Sequence, residues 1–313
     1  MSAKSELEQR RVSDASDEVC ASCGVAAVDD VKLKLCDGGC DLVKYCSDNC
    51  QENHREQHKQ ECNKRKAELH DKELFTQPDG SYLGECPICC LPLPLDVRKS
   101  TFMPCCSKHI CNGCHYANTK RESEQRLEPR CVYCREPTPK SPEEFNKRVM
   151  KRVKKNDKVA MTEMGKRHLG EGDYGKSFEY FTKSAELGDV AAHFCLATLY
   201  YNGDGVDKDE KRAVYHCEQA SIGGHPAARG CLGTHEKNKG RLDRAARHYI
   251  IAANLGCDAS LNVIKTLFVQ GIVSKEDYAA ALRGHQAAAN ETKSAEREAA
   301  DFLMENGYVR RFS

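Results

Sequence analysis

The fold of the N-terminal half is decided by residues 20–62, which have the sequence CASCGVAAVDDVKLKLCDGGCDLVKYCSDNCQENHREQHKQEC. Seven cysteines and one histidine form four pairs there, and two or three residues separate the members of each pair. Such spacing lets one tight turn or one helical turn present two ligands to zinc, which prefers thiolate and imidazole. Eight ligands of this kind predict two tetrahedral zinc sites. We call residues 20–62 the first cysteine module.

A second group of cysteines follows a polar segment that contains the turn sequence Pro78-Asp79-Gly80. Its eight members again form four pairs, which predict two further zinc sites. The pairs are Cys86 with Cys89, Cys105 with Cys106, Cys111 with Cys114, and Cys131 with Cys134. We call residues 86–135 the second cysteine module.

The distribution of cysteines favours metal binding over disulfide bonding. Sixteen of the twenty cysteines lie between Cys20 and Cys134. The first nineteen residues contain no apolar run typical of a signal peptide, and no window approaches the ~20 apolar residues of a membrane span. We therefore expect an intracellular location, in the cytoplasm or the nucleus, where ordinary thiols stay reduced. No membrane partner is expected.

The charge balance argues against general nucleic-acid binding. The formal charge is +1 with neutral thiols, and thiolates bound to zinc make the balance acidic. One basic stretch is an exception, and its pattern favours the solvated face of a linking helix over a nucleic-acid or membrane patch. Its members are Lys147, Arg148, Lys151, Arg152, Lys154 and Lys155.

The first cysteine module resembles the MYND-type zinc finger. The resemblance is carried by Tyr45-Cys46-Ser47-x2-Cys50-Gln51 and His58-Lys59-x2-Cys62. It implies interleaved ligation, with Cys20, Cys23, Cys46 and Cys50 on one zinc and Cys36, Cys40, His58 and Cys62 on the other. His54 precedes His58 by one helical turn and is its competitor, and the family spacing favours His58.

Two positions depart from the usual MYND pattern. The second cysteine pair has one extra residue, and Gly38-Gly39 supplies the backbone freedom to absorb it. Arg55 stands near the place where MYND fingers commonly carry Trp. The missing aromatic platform weakens any expectation that the module binds proline-rich peptides.

The second cysteine module resembles the RING-type zinc finger, through three Cys-x2-Cys pairs and a central fourth pair. The family's cross-brace implies one zinc on Cys86, Cys89, Cys111 and Cys114 and another on Cys105, Cys106, Cys131 and Cys134. Cys106 with His109 is the alternative to Cys105 with Cys106. The adjacent cysteines are preferred, because His109 lies only one residue away from ligand Cys111.

A zinc with four protein ligands has no open position for water or substrate, so all four zincs are expected to be structural. No catalytic residue is predicted. Many RING modules are ubiquitin ligases that position a ubiquitin-charged conjugating enzyme. The resemblance implies that Ile88 makes an apolar contact with that enzyme and that Arg135 bridges the enzyme and ubiquitin by hydrogen bonds. Against it, Val132 stands where ligase RINGs usually have Pro, and segment 115–130 has no Trp.

Residues beyond 150 show a repeat of small residues and glycines. Ala185-Glu186-Leu187-Gly188, Ala220-Ser221-Ile222-Gly223 and Ala253-Asn254-Leu255-Gly256 recur at intervals of 35 and 33 residues. This period predicts a tetratricopeptide-related helical solenoid. The loop Tyr200-Tyr201-Asn202-Gly203-Asp204-Gly205-Val206 resembles that of a Sel-one-like repeat. Solenoids expose a concave surface, so we expect this half to hold another protein.

The whole sequence therefore predicts a multidomain chain with two small zinc-stabilised cross-brace modules of α+β type, followed by an all-α helical-repeat solenoid. Segments 1–19, 63–85 and 136–156 are expected to be a disordered tail, a linker and a basic linker helix. Segments 157–290 and 291–313 are expected to be Sel-one-like repeats and a capping helix with a tail. Two function hypotheses remain, a ubiquitin ligase whose MYND finger and repeats hold substrate and a non-catalytic scaffold. Nucleic-acid binding through the basic linker is a third.

Overall fold

The computed structural model describes residues 19–27 and 31–306. The chain divides into two compact units, Met1–Thr76 and Gln77–Ser313. Within the described residues no helix combines the length and the apolarity that a membrane crossing requires. The expected N-terminal tail lies outside these residues, except for Val19, which forms a bridge to Ala26.

The first unit contains a small antiparallel sheet and one long helix. Strand β1 (Lys34–Leu35) pairs with β2 (Lys44–Tyr45), and helix α1 spans Asp48–Leu74. The helix begins after Ser47, whose hydroxyl accepts a hydrogen bond from the N–H of Cys50. It continues through 63–74 because those residues are good helix formers without Gly or Pro. The segment 63–85, expected to be a linker, thus begins as helix.

The core of the first unit is small and consists mainly of cysteine side chains. Tyr45 is the largest side chain of this core, and four buried cysteines surround it: Cys20, Cys36, Cys40 and Cys62. A core of this size buries too little apolar surface to outweigh the conformational entropy lost on folding. Metal binding must therefore supply part of the stability of this unit.

The second unit begins with the second cysteine module. Strands β3 (Ser100–Met103) and β4 (Lys108–Cys111) form an antiparallel pair, and helix α2 (Asn112–Glu124) follows directly. Cys111 is the N-cap of α2, because its sulfur accepts a hydrogen bond from the N–H of Cys114. Cys111 thus ends strand β4 and caps helix α2, and the first turn of α2 carries the next predicted ligand, Cys114.

Helix α3 (Pro142–Val153) connects this module to the rest of the unit. It begins at Ser141, with Pro142 in the first turn, where the missing N–H costs nothing. Val149 is fully buried, and Phe145 lies against Phe102 of β3 with ring centroids 6.2 Å apart. The segment 136–156 is therefore packed on its apolar side.

The basic side chains of this segment divide into two groups. Arg148 pairs with Glu144, and Arg152 pairs with Asp157. The four lysines are exposed, as expected for the solvated side of a helix: Lys147, Lys151, Lys154 and Lys155.

Helices alone make up the next part of the unit, in which each packs on its neighbour in sequence. They are α4 (Lys158–Gly170), α5 (Tyr174–Glu186), α6 (Val190–Asn202), α7 (Glu210–Ile222), α8 (Pro226–Asn238), α9 (Leu242–Asn254), α10 (Asp258–Val269) and α11 (Lys275–Glu291). One core gathers around Phe181, Leu196 and Leu199, and another around Tyr249 and Ile264. The expected helical-repeat solenoid is confirmed.

Helix α12 (Ala295–Glu305) falls where a capping helix was expected, and it packs on α2 of the second cysteine module. Tyr82, which precedes the module, stacks on His225 of the repeats at 4.2 Å, and its N–H donates to the carbonyl of Gly224. The second cysteine module, the repeats and α12 are therefore one compact body. This differs from the succession of separate modules that the sequence suggested.

Candidate metal centres

Four groups of thiol and imidazole side chains converge in the described part of the chain, and in each group the donor atoms lie within 4.8 Å of one another. Centre 1 contains Cys20, Cys23, Cys46 and Cys50, and centre 2 contains Cys36, Cys40, His58 and Cys62. Centre 3 contains Cys86, Cys89, Cys111 and Cys114, and centre 4 contains Cys105, Cys106, Cys131 and Cys134. The same sixteen side chains form the same four groups that the resemblances to the MYND and RING fingers imply.

The spacing of the sulfur atoms fits a tetrahedral zinc. Two sulfurs that each lie about 2.3 Å from such a zinc are about 3.8 Å apart. One separation in each centre is close to this value: 3.6 Å for Cys23 and Cys46, 3.9 Å for Cys36 and Cys62, 3.8 Å for Cys89 and Cys111, and 3.9 Å for Cys106 and Cys131. Cys105 and Cys134 lie closer together, at 3.2 Å. Soft thiolate donors in this arrangement select zinc over calcium or magnesium, which prefer oxygen. The N-terminal cysteine-rich region is a zinc-binding region.

The same turn carries a ligand pair at three places, residues 20–24, 86–90 and 131–135. In each, the fifth residue donates its N–H to the carbonyl of the first cysteine, over 2.8 to 3.0 Å. That fifth residue has a positive φ, which is 76° at Gly24, 57° at Cys90 and 63° at Arg135. The left-handed conformation reverses the chain after the second cysteine, so that both sulfurs face one point.

In each centre of the second cysteine module one thiol has a lowered pKa, whereas neighbouring thiols and burial raise the pKa of two others, which are Cys111 and Cys114 in centre 3 and Cys105 and Cys106 in centre 4. Hydrogen bonds from the thiol of Cys111 and from the N–H groups of Cys89 and Ile88 lower the pKa of Cys86 to about 4, although burial acts in the opposite direction. The thiols of Cys105 and Cys106 lower the pKa of Cys131 well below its usual range. Because zinc binds thiolate rather than thiol, metal binding must release the protons that the thiols with a raised pKa hold.

Centre 2 contains the histidine whose identity the sequence left open. His58 is buried, and its Nε2 lies 3.1 Å from Sγ of Cys40. The Nδ1 of His54 instead lies 3.0 Å from the hydroxyl of Tyr45, and its ring stacks on that of His58 at 5.8 Å. His58 therefore lies within the centre, and His54 packs against it.

Gly38 explains the extra residue in the second cysteine pair. A Cβ at this position would lie 2.5 Å from Sγ of Cys62 and 3.1 Å from Sγ of Cys36. The N–H of Gly38 also lies 3.3 Å from Sγ of Cys36. Only glycine lets the backbone approach the sulfurs this closely.

Centre 4 contains Cys105 and not the alternative His109. The Sγ of Cys105 lies 3.2 Å from that of Cys134. His109 packs against Phe102 with ring centroids 5.4 Å apart, and burial together with the charge of Lys166 lowers its pKa to about 4. A neutral imidazole in that apolar setting has a packing role.

The two predicted contact residues lie on the surface of the second cysteine module. Ile88 occupies the third position of the turn 86–90 and is 41% exposed. Arg135 ends the equivalent turn 131–135, and its Nη1 donates to Oδ1 of Asn118 on α2 over 2.9 Å. Asn118 is buried and therefore fixes the direction of an exposed guanidinium.

One residue near the centres was not anticipated from the sequence. Arg297 of α12 places its Nη2 3.3 Å from Sγ of Cys89 in centre 3. More than 200 residues separate the two along the chain, and no sequence pattern pointed to the contact.

Comparison with known proteins supports the predicted family of two of the three parts of the chain, which are the first cysteine module and the helical repeats. Residues 20–62 match the family model of the MYND finger. The family model of the Sel1 repeat matches residues 158–189, 190–225 and 235–257. Neither of these matches covers the second cysteine module.

A segment of 81 residues is 33% identical to Chitin synthase regulatory factor 4 of Schizosaccharomyces pombe, and it covers 26% of this chain and 13% of that protein. A Sel1 repeat protein from Oxalobacter formigenes aligns with a TM-score of 0.42 and 22% identity, over 62% of this chain and 78% of its own. A protective antigen from uropathogenic Escherichia coli, with an SLR fold, aligns with a TM-score of 0.41 and 18% identity, over 63% and 41%. The family matches establish that this chain contains a MYND finger and Sel1 repeats, with a second cysteine-rich module between them in sequence.

Proposed function

We propose that this protein is a RING-type ubiquitin ligase. In this proposal the second cysteine module is a RING finger that holds a ubiquitin-charged conjugating enzyme, while the MYND finger and the Sel1 repeats hold the substrate. The proposal refines the coarser role of an interaction scaffold, which zinc fingers and Sel1 repeats support by themselves. Each of the four centres binds one structural zinc, so that the chain carries four.

The observation that carries the proposal is the exposure of Ile88 together with the orientation of Arg135, whose guanidinium is hydrogen-bonded to Asn118. Each lies on a turn whose two cysteines belong to a metal centre, so the metals hold both positions rigidly. Ile88 offers an apolar contact to a partner. Arg135 offers a guanidinium directed by Asn118, with donors left for further hydrogen bonds. Exposed apolar groups and oriented Arg side chains are both enriched at the centres of protein interfaces.

The attachment of the second cysteine module to the repeats supports a role in positioning. The contacts of Tyr82 with His225 and of Phe102 with Phe145 fix the module relative to the solenoid. A ligase of this class forms no covalent bond with its substrate, and its contribution is to hold reactants in a productive arrangement. A rigid connection between the two binding surfaces limits the positions that a bound substrate can take.

The repeats also provide a surface that suits a protein segment. Helices α6 to α10 line a groove of about 730 Å³. Its floor is mainly apolar, with Phe194, Val214 and Val263, and Lys208 and Glu210 also line it. Grooves with an apolar floor and a few charges bind side chains of partner proteins.

The decisive experiment measures discharge of ubiquitin from charged conjugating enzymes by the full chain. We expect the wild-type protein to accelerate discharge from at least one enzyme in a broad panel. Ile88→Ala and Arg135→Ala should each reduce the acceleration about tenfold or more, because truncating a central interface residue costs about 2 kcal/mol. Val97→Ala is the matched control for Ile88, since Val97 is 65% exposed in the same module, and it should leave the rate unchanged.

Absence of acceleration across the panel would contradict the ligase proposal and leave the non-catalytic scaffold. One observation already favours that second candidate. Val132 is buried and stands where ligase RINGs usually have Pro, so the turn 131–135 lacks one feature of active members.

A further inference from the structure

Arg297 lies in the first turn of α12 and is 5% exposed. Its guanidinium makes four hydrogen bonds. Nη1 donates to the carbonyls of Pro92, at 2.7 Å, and Thr292, at 2.8 Å. Nη2 donates to the carbonyl of Leu91, at 3.1 Å, and to Sγ of Cys89, at 3.3 Å. Three of these four hydrogen bonds thus reach residues 89–92, and the first residue of that segment, Cys89, belongs to centre 3.

These acceptors include no carboxylate. A buried guanidinium requires a negative charge nearby, because its removal from water is costly. Centre 3 meets this requirement when zinc is bound, since four thiolates carry more negative charge than the metal neutralises. A hydrogen bond from a cation to a thiolate of this kind is charge-assisted and stronger than a neutral one.

The backbone of α12 also fits closely against centre 3. Gly113 lies between Cys111 and Cys114, and a Cβ there would lie 2.8 Å from the backbone nitrogen of Arg297. Such a distance to backbone atoms leaves no room for any side chain. The start of α12 therefore rests directly on the first turn of α2.

Two side-chain contacts hold the remainder of the helix. Nζ of Lys99 lies 2.7 Å from Oδ2 of Asp301, and Nδ2 of Asn112 lies 3.3 Å from Sδ of Met304. Lys99 and Asn112 both belong to the second cysteine module. Its contacts with α12 are thus spread over the length of the helix.

We propose that Arg297 supports centre 3 from outside its four ligands. Its guanidinium holds Cys89 and the chain after it in place and offsets the charge of the zinc thiolates. The retention of zinc in centre 3 then depends on a side chain outside the cysteine-rich region. Residues that hydrogen-bond to metal ligands orient them, and their loss typically weakens metal binding about 10- to 100-fold. This inference rests on the proposed zinc occupancy of centre 3.

The test is a chelator challenge of the full chain, in which native mass spectrometry counts zinc and N-ethylmaleimide marks the cysteines that become free. In Arg297→Ala, we expect one zinc to leave about 10- to 100-fold sooner than in the wild type. The cysteines labelled first should be those of centre 3. Arg297→Lys keeps the charge but loses the fork of donors, and it should give an intermediate rate.

Two controls separate the role of the guanidinium from the docking of the helix. Asp301→Asn removes the charge of Asp301, which lies on α12 like Arg297, and so breaks its ion pair with Lys99 of the second cysteine module. Arg283→Ala removes an exposed Arg from α11. Both should retain zinc as the wild type does. Equal loss in Asp301→Asn, loss from all centres together in Arg297→Ala, or no change in Arg297→Ala and Arg297→Lys would each overturn the inference. A wild-type chain with an empty centre 3 would instead contradict the proposed zinc count.

Discussion

Removal of zinc is expected to unfold residues 20–62 and 86–135 while the Sel1 repeats stay helical. The core of the first cysteine module consists mainly of cysteines around Tyr45. That of the second module adds only a few apolar side chains, among them Leu93, Met103 and Ile110. A structural zinc contributes about 10 to 16 kcal/mol of apparent binding free energy, which is as large as the whole stability of a typical domain, about 5 to 15 kcal/mol.

Hydrogen exchange measured by mass spectrometry, before and after exhaustive chelation, checks this prediction. Amide protection should fall to the level of an unfolded chain in 20–62 and 86–135. It should persist in helices α4 to α11, whose cores contain Phe181, Leu196, Ile264 and Leu267. Full protection of either cysteine module in protein shown to be free of zinc would contradict the account.

Phe181→Ala is expected to lower the free energy of unfolding by about 3 to 5 kcal/mol, the usual cost of removing a buried aromatic ring. Phe181 is 0% exposed in α5. Its ring occupies the space beside Gly165 so fully that a Cβ there would lie 2.5 Å from it. The cavity left by the ring adds to the lost transfer free energy, and the loss should loosen α4 and α5 first, since a repeat depends on its neighbours.

Urea unfolding followed by circular dichroism measures this change in stability. The matched control is Tyr201→Ala, because Tyr201 is an aromatic residue of the same solenoid that is 62% exposed. It should lower the free energy of unfolding by less than about 1 kcal/mol. A loss below about 1 kcal/mol in Phe181→Ala would mean that the first repeat has a different core.

The ligand pairs were predictable because each pair is local, whereas their grouping into centres came from the resemblance to MYND and RING fingers. Two cysteines separated by two or three residues reach one metal through a single turn, so spacing alone indicates the pairs. The choice between His54 and His58, or between Cys105 and His109, depends on which side chain faces the partner pair. Tyr45 holds His54 away from centre 2, and Phe102 packs against His109. Contacts of this kind are not encoded in spacing.

The repeats were also predictable, because their period is a local pattern of small residues. The position of α12 was not. Arg297 bonds mainly to backbone carbonyls, and the fit at Gly113 depends on a missing side chain. Neither feature leaves a residue-specific signal in a single sequence. The continuation of α1 to Leu74 was missed for a different reason, since a polar helix without an apolar stripe resembles a linker.

We propose that four structural zincs hold the cysteine-rich half of the chain. Native mass spectrometry of the full chain, purified without chelator, counts them. We expect a mass increase that corresponds to four zinc ions per chain, one for each of the four centres. A chain that binds three or fewer zincs, even with zinc in excess, would contradict it.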